Sequence, residues 1–73
     1  MMTLEDFVRN FVDFAELEGE FKSTTILKES EEWDSMTAMM MIGFCSEHFG
    51  RTLTGNELEE LITLGDIYER ITQ

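Results

Sequence analysis

The sequence predicts an all-α fold: a four-helix bundle with a long loop between helices one and two and a short third helix. Apolar residues recur at helical spacing along the 73-residue chain, proline is absent, and glycine occurs only five times. A chain of this length forms one domain, 1–73, and buries about 60% of the surface that its unfolded form exposes. We therefore expect a small bundle of marginal stability.

The first helix is predicted to begin at Leu4 and to run to about Leu17. Its apolar stripe consists of Leu4, Phe7, Val8, Phe11, Val12, Phe14 and Ala15. Thr3 precedes this stripe and Asp6 follows three residues later, which is a capping-box-like arrangement. The helical periodicity is then lost over residues 18–34. We interpret this stretch as a long ordered loop, and its apolar anchors are Phe21, Ile26, Leu27 and Trp33.

Three further helices follow the loop. The second is predicted to start near Ser35 and to end at Gly50, because glycine commonly terminates helices. Residues 54–57 form a capping box for a third helix that continues to Ile62, and residues 63–66 begin the fourth. Apolar residues available to pack from this last helix are Ile67, Tyr68 and Ile71.

The charge balance limits the possible partners. Sixteen acidic residues and five basic residues give a net charge of −11. Nucleic acid is not expected as a partner because phosphate binding requires clustered lysine and arginine. Anionic membrane surfaces would also repel the chain, whereas basic protein surfaces would attract it.

The composition also argues against a metal site or a disulfide. Cys45 and His48 are the only residues of their types, so we expect Cys45 to pack as a small apolar residue and His48 to lie at the surface. Residues 1–6 lack the basic start of a signal peptide, and no apolar run is long enough to cross a bilayer. We expect a cytoplasmic monomer without membrane insertion.

The candidate chemistry lies in Asp34-Ser35-Met36, at the start of the second helix. A serine hydroxyl there faces free backbone N–H groups and the positive end of the helix dipole, which favour a phosphate ester on its oxygen. Serine and aspartate are also common helix caps, so the tripeptide alone leaves both interpretations open.

The wider spacing resembles that of acyl carrier proteins, whose Asp-Ser-Leu motif bears 4′-phosphopantetheine on the serine. Motifs similar to those of the family are Asp34-Ser35-Met36, Phe49-Gly50, Leu53-Thr54, Glu57-Leu58-Glu59 and Thr63-Leu64-Gly65-Asp66-Ile67. The resemblance runs without a gap from Asp34 to Ile71. The first helix and the loop agree with the family in length and character but not in motif.

The resemblance implies a carrier that catalyses nothing itself. A phosphopantetheinyl transferase would join Ser35 to the phosphate of coenzyme A, and Asp34 would help the transferase to engage. The arm would then carry an acyl thioester between acyl-loading, acyl-transfer or condensing enzymes. The implied pathway is one of fatty acid, polyketide, lipid or envelope acylation.

The sequence departs from the family most clearly in the second helix, which is usually rich in acids. Between Met36 and Gly50 the only acid is Glu47, and Met40 takes the place of an acid near the first turn. Helical spacing places Met36, Met40, Gly43 and Glu47 on one stripe, with Met39 on an inward row. We expect partner recognition by Met36 and Met40, with Asp34 and Glu47 supplying charge; alternatively, Met40 only fills space.

Other departures and alternatives remain open. Trp33 replaces a usual glycine and can either screen the arm or pack under the loop. A core of Met39, Leu58, Leu61 and Ile62 could shelter an acyl chain. The chain could instead be an aminoacyl or peptidyl carrier, although its acidity and short length argue against this. It could also be a non-modified module that binds a protein through its methionines.

Overall fold

The computed structural model describes residues 2–73 and contains four α-helices and one short 3-10 turn. The helices are α1 (Leu4–Phe14), α2 (Ser35–Phe49), α3 (Gly55–Glu60) and α4 (Leu64–Ile71), and the 3-10 turn is Leu27–Glu29. The predictions of an all-helical chain, a long first connection and a short third helix are confirmed. None of the helices within residues 2–73 combines the length and apolar character needed to cross a bilayer.

Side-chain caps define where the helices begin. The Thr3 hydroxyl accepts a hydrogen bond from the Asp6 N–H at 3.1 Å. Thr54 and Thr63 each form a reciprocal capping box, the first with Glu57 and the second with Asp66. These caps are the predicted ones, and each satisfies backbone N–H groups that have no partner within the helix.

Two predicted helix ends are wrong. α1 ends at Phe14 and not near Leu17, because Glu16 adopts a left-handed conformation (φ 55°) that turns the chain away from the helix axis. α3 ends at Glu60 and not at Ile62, because Leu61 is extended (φ −90°, ψ 137°). The extended segment leads directly into an isolated antiparallel bridge between Thr63 and Ile26 of the loop.

An aromatic cluster joins α1 to α2 at the centre of the core. The ring of Phe44 lies 5.5 Å from that of Phe11 and 5.9 Å from that of Phe7, and all three side chains are buried. The other buried apolar residues are Val8, Leu27, Met41, Cys45, Leu53, Leu58, Leu64, Ile67 and Ile71. Every helix and the long loop therefore contribute to one hydrophobic core.

The long loop is anchored partly by side chains and partly by its backbone. Leu27 is buried, and Phe21 and Trp33 are partly buried against the core, as predicted. Ile26 is 42% exposed, so the prediction that its side chain anchors the loop is wrong. Its backbone holds the loop instead, through the bridge to Thr63, and the neighbouring Leu27 N–H donates to the Ile62 carbonyl at 3.0 Å.

A single carboxylate ties the first part of the long loop to the segment that precedes α2. The two carboxylate oxygens of Glu32 accept hydrogen bonds from the backbone N–H groups of Glu18 and Gly19, both at 2.7 Å. A Cβ on Gly19 would lie 2.5 Å from Glu32 Oε2, so glycine permits this close approach. The Glu32 carbonyl also accepts a hydrogen bond from the Thr37 hydroxyl at 2.8 Å, which connects the same residue to α2.

Replacing Glu32 should therefore destabilise the fold. We expect Glu32→Ala to lower the free energy of unfolding by roughly 1.5–3 kcal/mol, the usual net value of a hydrogen bond to a charged group. Urea denaturation measures the change. Glu31→Ala is the matched control because this substitution removes the same charge from a neighbouring residue. The Glu31 side chain is exposed and makes no hydrogen bond within residues 2–73. Equal effects of the two substitutions would contradict the role of Glu32.

Repulsion among the acids should limit stability. The chain has 16 acidic residues, and its Cα radius of gyration is 10.8 Å, so many like charges lie within the ~10 Å screening distance of 0.1 M salt. We expect the melting temperature to rise with added NaCl and further with millimolar Mg²⁺. A triple variant, Glu20→Gln/Glu59→Gln/Glu69→Gln, should show a smaller rise because these three exposed acids are neutralised. A melting temperature that is flat or falls with salt would refute this prediction.

Candidate functional site

The candidate modification site lies where the long loop meets α2. Asp34 has extended backbone angles (φ −125°, ψ −173°) and is the N-cap, and Ser35 is the first residue of the helix. Asp34 Oδ1 accepts a hydrogen bond from the Thr37 N–H at 2.9 Å. The aspartate therefore satisfies the helix end, and the serine is not needed as the cap.

Ser35 is exposed, and its hydroxyl makes no hydrogen bond within residues 2–73. Of the two residues of the tripeptide that could cap the helix, Asp34 does so and Ser35 does not. The Ser35 oxygen stands at the positive end of a 15-residue helix, and it does not serve as the cap of that helix. A substituent on this oxygen can be accommodated without loss of the cap.

Thr37 connects the loop to the cap of α2, and the sequence did not identify this role. Its side chain is buried, and its Oγ1 lies 2.8 Å from the Glu32 carbonyl and 3.0 Å from Asp34 Oδ1. The single hydroxyl hydrogen of Thr37 therefore has two acceptors, one on each side. A threonine three residues after an aspartate N-cap is the signal that would have identified this link between the loop and the helix.

The cap also changes the titration of Asp34. The backbone N–H of Thr37, followed by the Thr37 hydroxyl, holds the pKa of Asp34 below its ordinary value of 3.8. Asp34 is therefore a carboxylate at neutral pH. It places a negative charge beside the exposed hydroxyl of Ser35.

The outward side of α2 carries two exposed methionines. Met36 is 65% exposed and Met39 is 71% exposed. Gly43 lies on the next turn of the same side, and Glu47 is exposed beyond it. We call the surface formed by Met36, Met39 and Gly43 the methionine face; Met36 adjoins Ser35, and Met39 lies about one turn further along the helix.

Two expectations about the rotation of α2 are wrong. Met39 was placed on an inward row and is exposed, whereas Met40 was placed on the outward stripe and is partly buried against the core. The reason is that Met41, Phe44 and Cys45 form the buried side of α2. At about 100° per residue, this rotation turns Met39 away from the core and leaves Met40 at its margin.

The residues proposed to shelter an acyl chain do not form an enclosed core. Met39 and Ile62 (56% exposed) lie at the surface, Leu58 is buried, and Leu61 is partly buried. A groove of about 490 Å³ lies elsewhere, between α1 and the long loop. Its apolar lining consists of Leu4, Val8, Val12 and Phe21.

The structure also shows where Cys45, His48 and Trp33 lie. Cys45 is buried as predicted, and burial raises the pKa of its thiol to about 12. His48 is exposed as predicted, with its ring 4.4 Å from that of Phe44. Trp33 packs edge-on against Phe11 of α1, which is the second of its two predicted roles. Residues 2–73 contain no group of three or more side chains arranged to hold a metal ion.

The contribution of the Asp34 cap to stability should depend on pH. Because folding lowers the pKa of Asp34, its contribution is complete above the unfolded value and is lost as the pH falls through the folded value. We expect wild type to lose more stability than Asp34→Asn between about pH 4 and pH 2, since the amide oxygen still accepts a hydrogen bond but does not titrate there. Chemical denaturation across this range measures the difference.

The control for this experiment is Glu31→Gln, which removes one charge from an exposed side chain that caps no helix. This variant should follow the wild-type pH dependence more closely than Asp34→Asn does. If Asp34→Asn and wild type lose stability equally, the hydrogen bonds from Thr37 do not perturb the titration of Asp34.

Scans against protein-family models, curated proteins and solved structures found no match to this chain. The function is therefore inferred from the arrangement of the residues described above and from the spacing of the motifs.

Proposed function

We propose that this chain is an acyl carrier protein that bears a 4′-phosphopantetheine arm on Ser35. The observation that carries the proposal is the free, exposed hydroxyl of Ser35 at the first residue of α2, where Asp34 has already taken the capping role. A carrier requires this separation, because the attached oxygen must remain accessible while the helix that presents it stays intact.

The positions of the family-like motifs support the proposal. Phe49 is the last residue of α2, and Gly50 follows it in a left-handed conformation (φ 65°) that ends the helix. Thr54 and Thr63 are the N-caps of α3 and α4. The residues that resemble the family thus stand at helix boundaries in this chain, as the corresponding motifs do in the family.

The local chemistry at Ser35 suits a phosphodiester. Attachment would join Ser35 Oγ to the phosphate of coenzyme A, with loss of the hydroxyl proton and departure of the nucleotide portion. The N-terminus of α2 would stabilise the resulting negative charge through its dipole. Once attached, the arm supplies a thiol that holds an acyl group as a thioester, and tethering raises the concentration of that group at each partner enzyme.

The methionine face is the proposed docking surface for partners. These partners are a phosphopantetheinyl transferase and the acyl-loading, acyl-transfer or condensing enzymes of a fatty acid, polyketide, lipid or envelope acylation pathway. Burial of one methionine contributes ~1.5–3 kcal/mol, whereas an exposed ion pair contributes ~0–1 kcal/mol. Met36 and Met39 would therefore dominate affinity, and the acids Asp34 and Glu47 would mainly set the rate of encounter.

Modification by a broad-specificity transferase tests the proposal. Incubation with coenzyme A should add one phosphopantetheinyl group, measured by intact mass, and Ser35→Ala should abolish the addition. Circular dichroism of Ser35→Ala should remain close to wild type because Asp34 still caps α2. Ser46→Ala is the matched control, since Ser46 is also an exposed serine of α2, and this variant should be modified normally.

Two results would reject the carrier proposal. Addition to the Ser35→Ala variant would place the site elsewhere. A wild-type chain that stays unmodified with several broad-specificity transferases would favour a non-modified module that uses the methionine face to bind a protein.

A further inference from the structure

The methionines of α2 form a graded series of exposure within six residues. Met36 and Met39 are exposed, Met40 is partly buried, and Met41 is fully buried. The Met41 sulfur is also 3.6 Å from the Cys45 thiol, which donates to it inside the core. Neighbouring thioethers of the same helix therefore differ sharply in access to solvent.

The exposed pair has no competing thiol at the surface. Cys45 is the only cysteine of the chain, and it is buried. Its thiol stays protonated at neutral pH, and the thiolate is the form that reacts readily with oxidants. A small oxidant that approaches α2 from solvent therefore reaches the sulfurs of Met36 and Met39 first.

We propose that Met36 and Met39 are sites of reversible oxidation, and that their oxidation by hydrogen peroxide weakens the docking of the transferase that modifies Ser35. Each thioether sulfur takes one oxygen atom from peroxide and forms a sulfoxide; the sulfur loses two electrons, the peroxide O–O bond breaks, and water leaves. A methionine sulfoxide reductase with a dithiol reverses the change, releasing water and leaving a disulfide.

The consequence follows from where the two sulfurs lie. A sulfoxide replaces an apolar contact with a strong hydrogen-bond acceptor, and Met36 adjoins Ser35 while Met39 follows about one turn later. An apolar partner surface would have to desolvate both sulfoxides to reach the hydroxyl. The loss of docking rests on the proposed function, whereas the selectivity of oxidation rests on exposure alone.

Peptide mapping tests the selectivity. Trypsin cuts after Lys28 and Arg51, so one peptide, 29–51, contains Met36, Met39, Met40 and Met41 and allows their oxidation to be compared internally. After brief treatment of the folded protein with dilute peroxide, tandem mass spectrometry should find sulfoxide at Met39 and Met36 well before Met40, and last at Met41. Equal rates at all four positions, or early oxidation of Met41, would overturn the proposal.

Transferase kinetics test the consequence. For each variant, kcat/KM with coenzyme A and a broad-specificity transferase is compared before and after peroxide. The wild-type value should fall about tenfold, which corresponds to the contact of roughly one buried methionine. The ratio of kcat/KM after peroxide to kcat/KM before peroxide should stay near one for Met36→Leu/Met39→Leu. For Met40→Leu, the matched control, this ratio should fall as it does for wild type.

Four further results complete the test. Treatment with a methionine sulfoxide reductase and a dithiol should restore the wild-type rate. Circular dichroism should be unchanged by oxidation, since a loss of helicity would mean that unfolding and not docking slows the transferase. An unchanged wild-type rate after confirmed oxidation would overturn the docking consequence. Failure of the untreated protein to be modified at all would reject the carrier function instead, and the peptide map would still decide the selectivity.

Discussion

The packing of Phe44 against Phe7 and Phe11 determines how α2 is presented, and the candidate site depends on it. These contacts, at ring separations of 5.9 and 5.5 Å, fix the rotation of α2 about its axis. The two rings meet Phe44 in a tilted and an edge-to-face arrangement, and such aromatic pairs contribute beyond their buried area, so the rotation is well determined. Once Phe44 points inward together with Met41 and Cys45, helical geometry turns Met36 and Met39 away from the core.

The local elements of the fold were predictable because their signals lie within a few residues. Thr54 with Glu57 and Thr63 with Asp66 are capping boxes that the sequence shows directly, and Gly50 marks the end of α2. The rotation of α2 was not predictable in the same way. Its residues are apolar nearly all round, so periodicity cannot separate an inward from an outward side, and Met39 was assigned to the wrong one.

A contact between distant segments and two local backbone features account for the other differences. Glu32 accepts hydrogen bonds from backbone groups 13 and 14 residues earlier, and no sequence pattern links these positions. The apolar spacing of α1 continues through Ala15 and Leu17, but the left-handed backbone of Glu16 ends the helix first. Ser35 was found as a candidate from its motif, whereas its freedom from capping became visible only with the Asp34 hydrogen bonds.

The distribution of charge suggests why α2 uses methionines. A chain with a net charge of −11 already attracts basic surfaces at long range, so further acids beside Ser35 would add little to encounter and would raise the repulsion within the fold. The proposed carrier would meet several enzymes in turn, and its docking surface would need side chains that adapt to different shapes, as methionine does through its unbranched, polarisable side chain. The same exposed sulfurs are open to oxidants, while Met41 and Cys45 lie protected in the core. The exposed, polarisable sulfur that makes the methionine face adaptable thus also makes it sensitive to oxidation, whereas the sulfurs of the core are shielded from solvent.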